Sequence, residues 1–552
     1  MKAFNIFLSA VLMFAVPALN SSAAENKGAV DDLKRQLYSK LRGADPNGTN
    51  KYHIDLYFSP IHAMRAYTEL LRWSEQPGMP ISQAEELQAI VSMGLRAVYR
   101  DSGVGVPMEN GGAISVVFDY SLPRYTRPLT DNHPETKHWN QLNMKRQTGA
   151  AGIGQSLAAK ALWLRTVGDE GSDEILHSLL GELGIVTTPP FISRTAHTLV
   201  PEEVAWEAGQ WRVRKHVSRL RSQASLLIGL LETKKLLDAP GALQTEIADI
   251  GRLRTTVDNA VATLFRGIVE KHRDPDTGAL VGVFDPESGR GDRILIEDLG
   301  LAAEALGNLA STDKGELAAE ARRVLRQQAE FVRRSLPEGQ LAPRGWFIPT
   351  GAPWRGSITT LSEQMAAMMV LVEAAGVLGE EGYLESARHL HAAMEEPLWV
   401  ESAGLYRSAV GFKMSSYDGY LFGTILGLLR RTEGTGLLAN IDAAHYLETV
   451  LITAGLLQAE GPESGEPESP ESLIDREING LVAELLKLEN EKDRRDRIQT
   501  FISHVIDQDG DTVPGIRFGG DVYGGAPVLV NQTGIKTPYQ TNKTTNEEGD
   551  TP

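Results

Sequence analysis

The sequence has no cysteine among its 552 residues. It therefore forms no disulfide and offers no thiolate as a nucleophile, a zinc or iron–sulfur ligand, or an attachment point for haem. It also lacks the HExxH helix of zinc proteases, the glycine-rich Walker loop and the GxSxG turn of α/β-hydrolases. These absences exclude thiol chemistry and argue against nucleotide-driven work.

Basic residues are the second shortage, because 55 lysines and arginines stand against 72 acidic residues and give a net charge of −17. Binding to nucleic acid or to an anionic membrane surface needs a positively charged patch. The composition therefore predicts neither kind of partner. It leaves room for a local basic pocket.

Residues 1–24 have the pattern of a secretory signal peptide. Lys2 supplies the positive charge, an apolar run follows from Ile6 to Val16, and Ser22-Ala23-Ala24 provides small residues for cleavage before Glu25. The apolar run is too short to span a bilayer comfortably. We expect an exported protein, periplasmic or extracellular, that is not inserted in a membrane after cleavage and that then has a net charge of −18 through the loss of Lys2.

Helical periodicity dominates the rest of the chain, as at Leu299, Ala302, Ala303 and Leu306. Alternation with period two is confined to short stretches beside Gly and Pro, which predicts an all-α fold with short β-hairpins in the loops. The expected organisation is a helical region at 25–199 with a long loop at 102–146, a helical ring at 200–535 with an acidic linker at 459–472, and a disordered tail at 536–552. The region 25–199 is either part of the ring or a cap.

A loose repeat organises the second half of the chain. A Gly-rich hairpin is followed by a polar cluster that opens an apolar helix, with acidic residues at Glu297, Asp298, Glu363 and Asp418. Each helix pair buries its apolar stripe by stacking on the next pair. If the pairs close into a ring, the inner helices begin around one common opening and their polar clusters converge there.

The run Tyr383–Arg388, followed by Pro397-Leu398-Trp399, Gly404-Leu405-Tyr406 and Tyr417-Asp418-Gly419, resembles the (α/α)6-toroid proteins of the six-hairpin glycosidase-like superfamily. The resemblance covers roughly residues 200–534 and implies a toroid of helix hairpins. Proteins of this fold include glycoside hydrolases, polysaccharide lyases and sugar epimerases, so fold alone does not give the reaction. The epimerases carry histidines on inner helices, which this sequence does not match.

Glycoside hydrolysis needs two carboxyl groups beside the scissile bond. We predict Asp298 and Glu363 as acid and base, with Asp418 and Glu297 as further catalytic candidates. The competing interpretation is helix capping, which acidic residues perform at many helix starts. If these four side chains line one cleft at the spacing of a carboxyl pair, within about 10 Å, the catalytic interpretation is favoured.

Substrate contacts are predicted for aromatic and basic residues of the hairpins. The expected sugar-stacking residues are Trp346, Trp354, Tyr406 and Tyr417, and Arg355 is the candidate partner of an acidic sugar. Ordinary packing of the hairpins on the helix ends is the alternative.

One metal site is considered, at Asp507, Asp509 and Asp511, whose alternating oxygen ligands suit calcium. The run lacks the spacing of an EF-hand loop, and an Asp/Gly-rich turn is the alternative. No other cofactor is expected. The sequence thus predicts an exported glycoside hydrolase or polysaccharide lyase acting on an oligo- or polysaccharide. The alternative is a non-catalytic platform that docks a protein partner.

Overall fold

The computed structural model describes residues 60–77, 79, 81–107, 113–117, 147–168, 172–192, 199–241, 247, 249–336, 339–348, 350–356, 358–400, 405–410, 418–444, 446–447, 485, 492, 516–517 and 528–529. The expected signal peptide, most of the loop 102–146, the linker 459–472, the calcium candidate Asp507–Asp511 and the tail 536–552 lie outside the described residues.

Eleven helices lie in the described part of the chain, and inner and outer helices alternate along it. The inner helices are α1 (Pro60–Ser74), α3 (Ala150–Thr166), α5 (Leu220–Asp238), α7 (Ile296–Thr312), α9 (Leu361–Leu378) and α11 (Gly419–Thr432). The outer helices are α2 (Ile81–Ser102), α4 (Ser172–Val186), α6 (Ile250–His272), α8 (Glu316–Ser335) and α10 (Glu381–Leu398).

The six inner helices form a closed ring. Each packs on the next inner helix in chain order, and α11 packs back on α1. Every outer helix of the described chain packs on the inner helix that precedes it. The predicted α/α toroid is therefore confirmed. Helices α1 and α3 precede residue 200, so the ring includes this part of the chain.

Glycines allow two pairs of inner helices to approach backbone to backbone. A Cβ on Gly229 of α5 would lie 2.3 Å from the carbonyl oxygen of Gly154 on α3. At the closure of the ring, a Cβ on Gly419 of α11 would lie 2.1 Å from the carbonyl oxygen of His62 on α1. Real Cβ atoms do not come this close, so both approaches need glycine.

The strands lie in the connections that lead from one helix pair to the next inner helix, apart from the last pair. They are β1 (Gly103–Pro107), β2 (Ala113–Val117), β3 (Gln147–Thr148), β4 (Glu203–Glu207), β5 (Gln210–Lys215), β6 (Ser218–Arg219), β7 (Val283–Asp285), β8 (Gly289–Arg290), β9 (Arg293–Leu295), β10 (Gly345–Phe347), β11 (Pro353–Trp354), β12 (Trp399–Val400), β13 (Leu405–Tyr406), β14 (Ile516–Arg517) and β15 (Val528–Leu529). They pair antiparallel as β1-β2, β3-β4-β5, β6-β7-β8, β9-β10-β11, β12-β13 and β14-β15.

The two ends of the ring differ because of these connections. We call the end at which the inner helices begin the front opening, and the end at which they finish the rear opening. Strand-bearing connections cross the front, whereas inner helices pass to their outer partners through short turns at the rear, such as residues 313–315. The front opening therefore has the longer loops that usually carry function.

Burial explains the composition of the two helix layers. Helix α9 lies between α7 and α11 and against α8 and α10, and it is apolar enough to pass for a membrane span although 72% of it is buried in the protein. Outer helix α8 instead has one apolar stripe, made by Ala321, Val324 and Leu325 among others, because only one of its faces meets the ring.

Candidate functional site

The front opening contains a small cavity lined by four neighbouring inner helices. Arg221 of α5, Glu297 of α7, Ser362 of α9 and Tyr420 of α11 all reach it, with Glu304 deeper on α7. Its volume is about 30 Å³, which is room for about two water molecules. A larger ligand would have to lie above the cavity, between the front loops.

Asp298 is the most perturbed carboxyl group at the front opening. It is 7% exposed, and a Cβ on Gly282 would lie 2.8 Å from its Oδ2 atom, so the loop backbone covers it. Burial raises the pKa of Asp298 to about 7, because the low-dielectric surroundings disfavour its charged form more than the nearby Arg221 favours it. A carboxyl group with such a pKa can hold and release a proton near neutral pH.

Arg221 is the positive centre of the front opening. Its guanidinium carbon lies 4.0 Å from the centre of the Tyr420 ring, and its Nη1 atom lies 3.7 Å from Oε2 of Glu297. Burial opposes its charge, but Tyr420, Glu297, Asp418 and Asp298 together raise the pKa of Arg221. One arginine therefore interacts with three of the four predicted catalytic carboxylates.

Glu363 joins the same group through charge. Burial raises its pKa, and the carboxylate of Glu297 acts in the same direction. Its side chain also caps α9: Glu363 Oε2 accepts a hydrogen bond from Thr360 N at 3.0 Å, and Thr360 Oγ1 accepts one from Glu363 N at 3.3 Å. This is a capping box, so Glu363 has a structural function whatever its chemistry.

Asp418 has a capping function too. It is the N-cap residue of α11, and its Oδ1 atom accepts a hydrogen bond from Leu421 N at 2.8 Å. Its Oδ2 atom lies 4.0 Å from Nδ1 of His62, near the start of α1. The ring of His62 stands edge-on to Tyr420, with centroids 5.1 Å apart. The structure thus brings a histidine of an inner helix to the front opening, which the sequence analysis missed.

Glu202 is a second carboxyl group that the sequence analysis missed. It precedes β4, and its Oε2 atom accepts a hydrogen bond from Ser222 Oγ at 2.9 Å. Burial raises its pKa although Arg219 lies 3.4 Å away. Its charge also reaches Asp298, so it extends the acidic wall of the opening towards α5.

The predicted sugar-binding residues divide into core and front positions. Trp346 is 1% exposed and packs edge-on against Phe331. Tyr406 is 1% exposed, and its hydroxyl group interacts with His391 and Asn440. Both rings are therefore part of the packed interior. A sugar cannot reach them there, so the structure does not support the stacking function predicted for them.

Trp354 lies at the front, on β11, and is only partly buried. The guanidinium groups of Arg293 and Arg344 lie 4.7 Å and 5.0 Å from its ring, and Arg344 Nε is 4.0 Å from Oε1 of Glu363. Arg355 is exposed and donates a hydrogen bond to Oε1 of Gln340. Tyr417 lies outside the described residues, as do Asp507, Asp509 and Asp511.

A buried ion-pair network fills the ring behind the front cavity. Arg65 and Arg72 of α1 both donate hydrogen bonds to Glu304 of α7, and Arg72 also donates to Glu232 of α5. Burial raises the pKa of Glu232, but the charges of Arg72, Lys235 and Arg165 together lower it to about 2. The sequence hints at this network where a charged residue interrupts an apolar helix, as Glu304 does in the segment Leu301–Leu306. The residues that pair with Glu304 are distant in sequence, so the sequence alone does not identify them.

Metal ligation finds no support in the described residues, which contain no group of three or more His, Cys, Asp or Glu side chains placed to hold an ion. Among the described residues, the front opening presents carboxyl groups, Arg221 at its centre, His62, Tyr420, and Trp354 with its neighbouring arginines.

Comparisons with known proteins give likeness only in structure, since no family model and no curated protein matches the chain. A D-mannose isomerase aligns with a TM-score of 0.49 and 10% identity, over 76% of this chain and 100% of that one. A cellobiose 2-epimerase of Spirochaeta thermophila aligns with a TM-score of 0.45 and 14% identity, over 73% of this chain and 98% of that one. An unsaturated glucuronyl hydrolase of Bacillus sp. GL1 aligns with a TM-score of 0.42 and 15% identity, over 70% of this chain and 89% of that one. All three names are those of carbohydrate-active enzymes.

Proposed function

We propose that the protein is a carbohydrate-active enzyme of the hydrolase or lyase type, with its reaction at the front opening of the ring. One observation carries the proposal: Asp298 is buried beside Arg221 at this opening and has a pKa of about 7. Burying an ionisable carboxyl group lowers stability, and perturbed groups of this kind cluster at functional sites. The resemblance of the chain's motifs to the six-hairpin superfamily directs the proposal to saccharides.

Asp298 is the general acid in this mechanism. At neutral pH, Asp298 is protonated in a large fraction of the protein molecules. A proton donor works best with a pKa near the operating pH. In hydrolysis, the Asp298 proton goes to the glycosidic oxygen while the bond between this oxygen and the anomeric carbon breaks.

Glu297 is the partner carboxylate. It lines the small cavity, and its Oε2 atom lies 3.7 Å from Nη1 of Arg221. It takes a proton from a water molecule whose oxygen bonds to the anomeric carbon, so that the sugar is released with a new hydroxyl group. In a lyase, the same carboxylate would instead take a proton from the sugar carbon next to a uronic carboxylate. Arg221 would stabilise the charge that develops there. A double bond would form from the deprotonated carbon to the neighbouring one while the glycosidic C–O bond there breaks, and the Asp298 proton would go to the leaving oxygen.

The sugar itself would lie above the cavity, because the cavity holds only about two water molecules. Tyr420 forms part of the cavity wall, and Trp354 presents a partly exposed ring on the sheet β9-β10-β11 at the front. Aromatic faces of this kind stack on the apolar faces of sugar rings. The two arginines beside Trp354 favour a saccharide with acidic groups.

The test is a screen of the purified mature protein against neutral and uronic-acid oligosaccharides, with and without calcium, analysed for reducing ends and for unsaturated products. We expect Asp298→Asn and Glu297→Gln to lower kcat/KM by about 10²–10⁴-fold while the protein remains folded. The matched control is Glu316→Gln, which changes an exposed first-turn acid of outer helix α8. Full activity of Asp298→Asn on a substrate of the wild type would refute the assignment.

The calcium arm tests the metal prediction. If Asp507, Asp509 and Asp511 bind calcium, the ion should raise the melting temperature of the wild type and not that of a variant with all three changed to Asn.

The alternative remains a non-catalytic platform, in which acidic residues at the front dock a basic partner. The capping functions of Glu363 and Asp418 favour this candidate, because both are explained without chemistry. No turnover of any saccharide, together with saccharide or peptide binding that Asp298→Asn leaves unchanged, would establish it.

Export is a separate proposal that is supported by the pattern of residues 1–24. N-terminal sequencing of the protein from the periplasm or medium of its producing cell should begin at Glu25. Intact protein with Met1 in the cytoplasm would contradict it.

A further inference from the structure

The rear opening of the ring contains a charged cavity with a volume of about 390 Å³. It is lined by the last turns of inner helices, and it lies on the opposite side of the Glu304 network from the front opening. Its size is that of a small-molecule site. The proposed reaction makes no use of it.

Positive charge is in excess on the cavity walls. Five cationic side chains face three carboxylates there: Arg72, Arg165, Lys235, Arg430 and Arg431 against Glu75, Glu232 and Glu373. Cations near helix C-termini compensate the helix dipoles, and this accounts for part of the excess. It does not account for the crowding of the arginines on one another.

Burial lowers the pKa of two cations of the cavity, Arg430 and Lys235. Arg430 lies 3.7 Å from Glu69, beyond hydrogen-bond distance. Burial lowers the pKa of Arg430, and the neighbouring charges of Arg431 and Arg72 lower it further. The pKa of Lys235 is lowered by burial and by Arg72 and Arg165, although Glu232 Oε1 accepts a hydrogen bond from its Nζ atom at 3.1 Å and opposes this shift.

Two wall groups also have hydrogen-bond donors without acceptors among the described residues. They are Nε of Arg430 and Nδ2 of Asn308, both buried. The orientation of Asn308 is fixed, because its Oδ1 atom accepts a hydrogen bond from Lys235 Nζ at 3.2 Å. Helix dipoles do not satisfy donors of this kind. Acceptor oxygens and negative charge are what this wall lacks.

We propose that the rear cavity binds a small tetrahedral oxyanion, either inorganic phosphate or the phosphate group of a small metabolite, with Arg430 and Lys235 as its main contacts. Such a ligand supplies the missing charge and the missing acceptors in one group. The proposal is independent of the reaction at the front opening, which uses none of these side chains.

The test is thermal unfolding of the full mature protein in rising inorganic phosphate, with sodium chloride of equal ionic strength as the reference. We expect a saturable rise of the melting temperature that Arg430→Gln and Lys235→Gln each weaken at least tenfold in half-saturating concentration. Both variants should fold, since Glu232 keeps Arg72 and Arg165, and Glu69 keeps Arg65 and Arg72. A parallel titration with a hexose phosphate identifies the source: tighter binding than that of phosphate indicates a metabolite.

The control variant is Arg252→Gln, which removes a cation that is 81% exposed on outer helix α6, and it should behave as wild type. A rise that is no greater than in sodium chloride would overturn the proposal. So would a saturable rise that is the same in the wild type and in both cavity variants, because the anion would then bind elsewhere.

Discussion

Arg65 and Glu304 join opposite sides of the ring. The two nitrogens of the Arg65 fork donate to the two oxygens of Glu304 at 3.0 Å and 2.7 Å, although the residues are 239 positions apart. Both are about 1% exposed. Helices α1 and α7 are third neighbours around the ring of six, so this bidentate pair crosses the axis. It separates the front cavity from the rear one.

Loss of one partner from this pair should lower the stability of the protein strongly. Glu304→Gln takes from buried Arg65 its bidentate partner and leaves it the carboxylate of Glu69, which lies 3.5 Å from its Nη1 atom. We expect a loss of about 3–5 kcal/mol in the free energy of unfolding, measured by urea denaturation. The control is Glu381→Gln, which removes a pair with Arg388 at the surface and should cost less than about 1 kcal/mol. Equal effects of the two changes would show that the buried network does not stabilise the ring.

Asp298 should make stability fall as pH rises. Its pKa is about 7 in the folded protein and 3.8 as an ordinary aspartate, so the folded state binds the proton more tightly than the unfolded chain. The contribution of this proton to the free energy of unfolding has its full value below about pH 4 and is lost as the pH rises through 7. Since one pKa unit corresponds to about 1.4 kcal/mol, the whole effect is on the order of 4 kcal/mol.

The measurement compares wild type with Asp298→Asn at pH 4 to 8, because the difference cancels other titrating groups. The variant should gain stability relative to wild type over this range. A difference that does not depend on pH would mean that Asp298 titrates normally.

Ring closure should depend on Gly419. In Gly419→Ala the new methyl group would meet the carbonyl oxygen of His62 at 2.1 Å, and α11 would have to move away from α1. We expect a loss of about 1–3 kcal/mol in chemical denaturation, together with altered activity. Gly376→Ala is the matched control in another inner helix, where a Cβ meets nothing within 4 Å. It should be neutral or stabilising by about 0.5–1 kcal/mol, and a similar loss in both variants would contradict the steric argument.

The repeat of hairpin and polar cluster was sufficient to predict the ring and the position of Glu297 and Asp298 at its front. The sequence did not decide whether the region that contains helices α1 and α3 belongs to the ring, because no such hairpin motif was found before these helices. Arg221 was missed since it follows a two-residue strand and matches no motif. Its partners Glu297 and Tyr420 are 76 and 199 positions away in the sequence, and only ring closure brings them together.

Glu363 allows capping and chemistry to be separated. Thr360→Ala removes one half of the capping box and should cost about 1 kcal/mol without a large change in kcat. Glu363→Gln keeps an oxygen that can accept the hydrogen bond from Thr360 N, so stability should change little. A loss of activity of about 10²-fold or more in Glu363→Gln would assign it to catalysis, whereas unchanged activity would leave it as a cap.

The two tryptophans of the hairpin β10-β11, Trp346 and Trp354, should behave differently, although they are only eight positions apart in the sequence. Trp346 faces inward on β10 and packs on Phe331 of α8, so Trp346→Ala should lose about 3–5 kcal/mol of stability. Trp354 faces the front sheet between two arginines, so Trp354→Ala should leave the free energy of unfolding within about 1 kcal/mol and raise KM for the saccharide. Denaturation and Michaelis–Menten measurements on both variants give this comparison. A stable Trp346→Ala protein with weakened sugar binding would place the stacking surface at Trp346, since it would require that ring to leave the core.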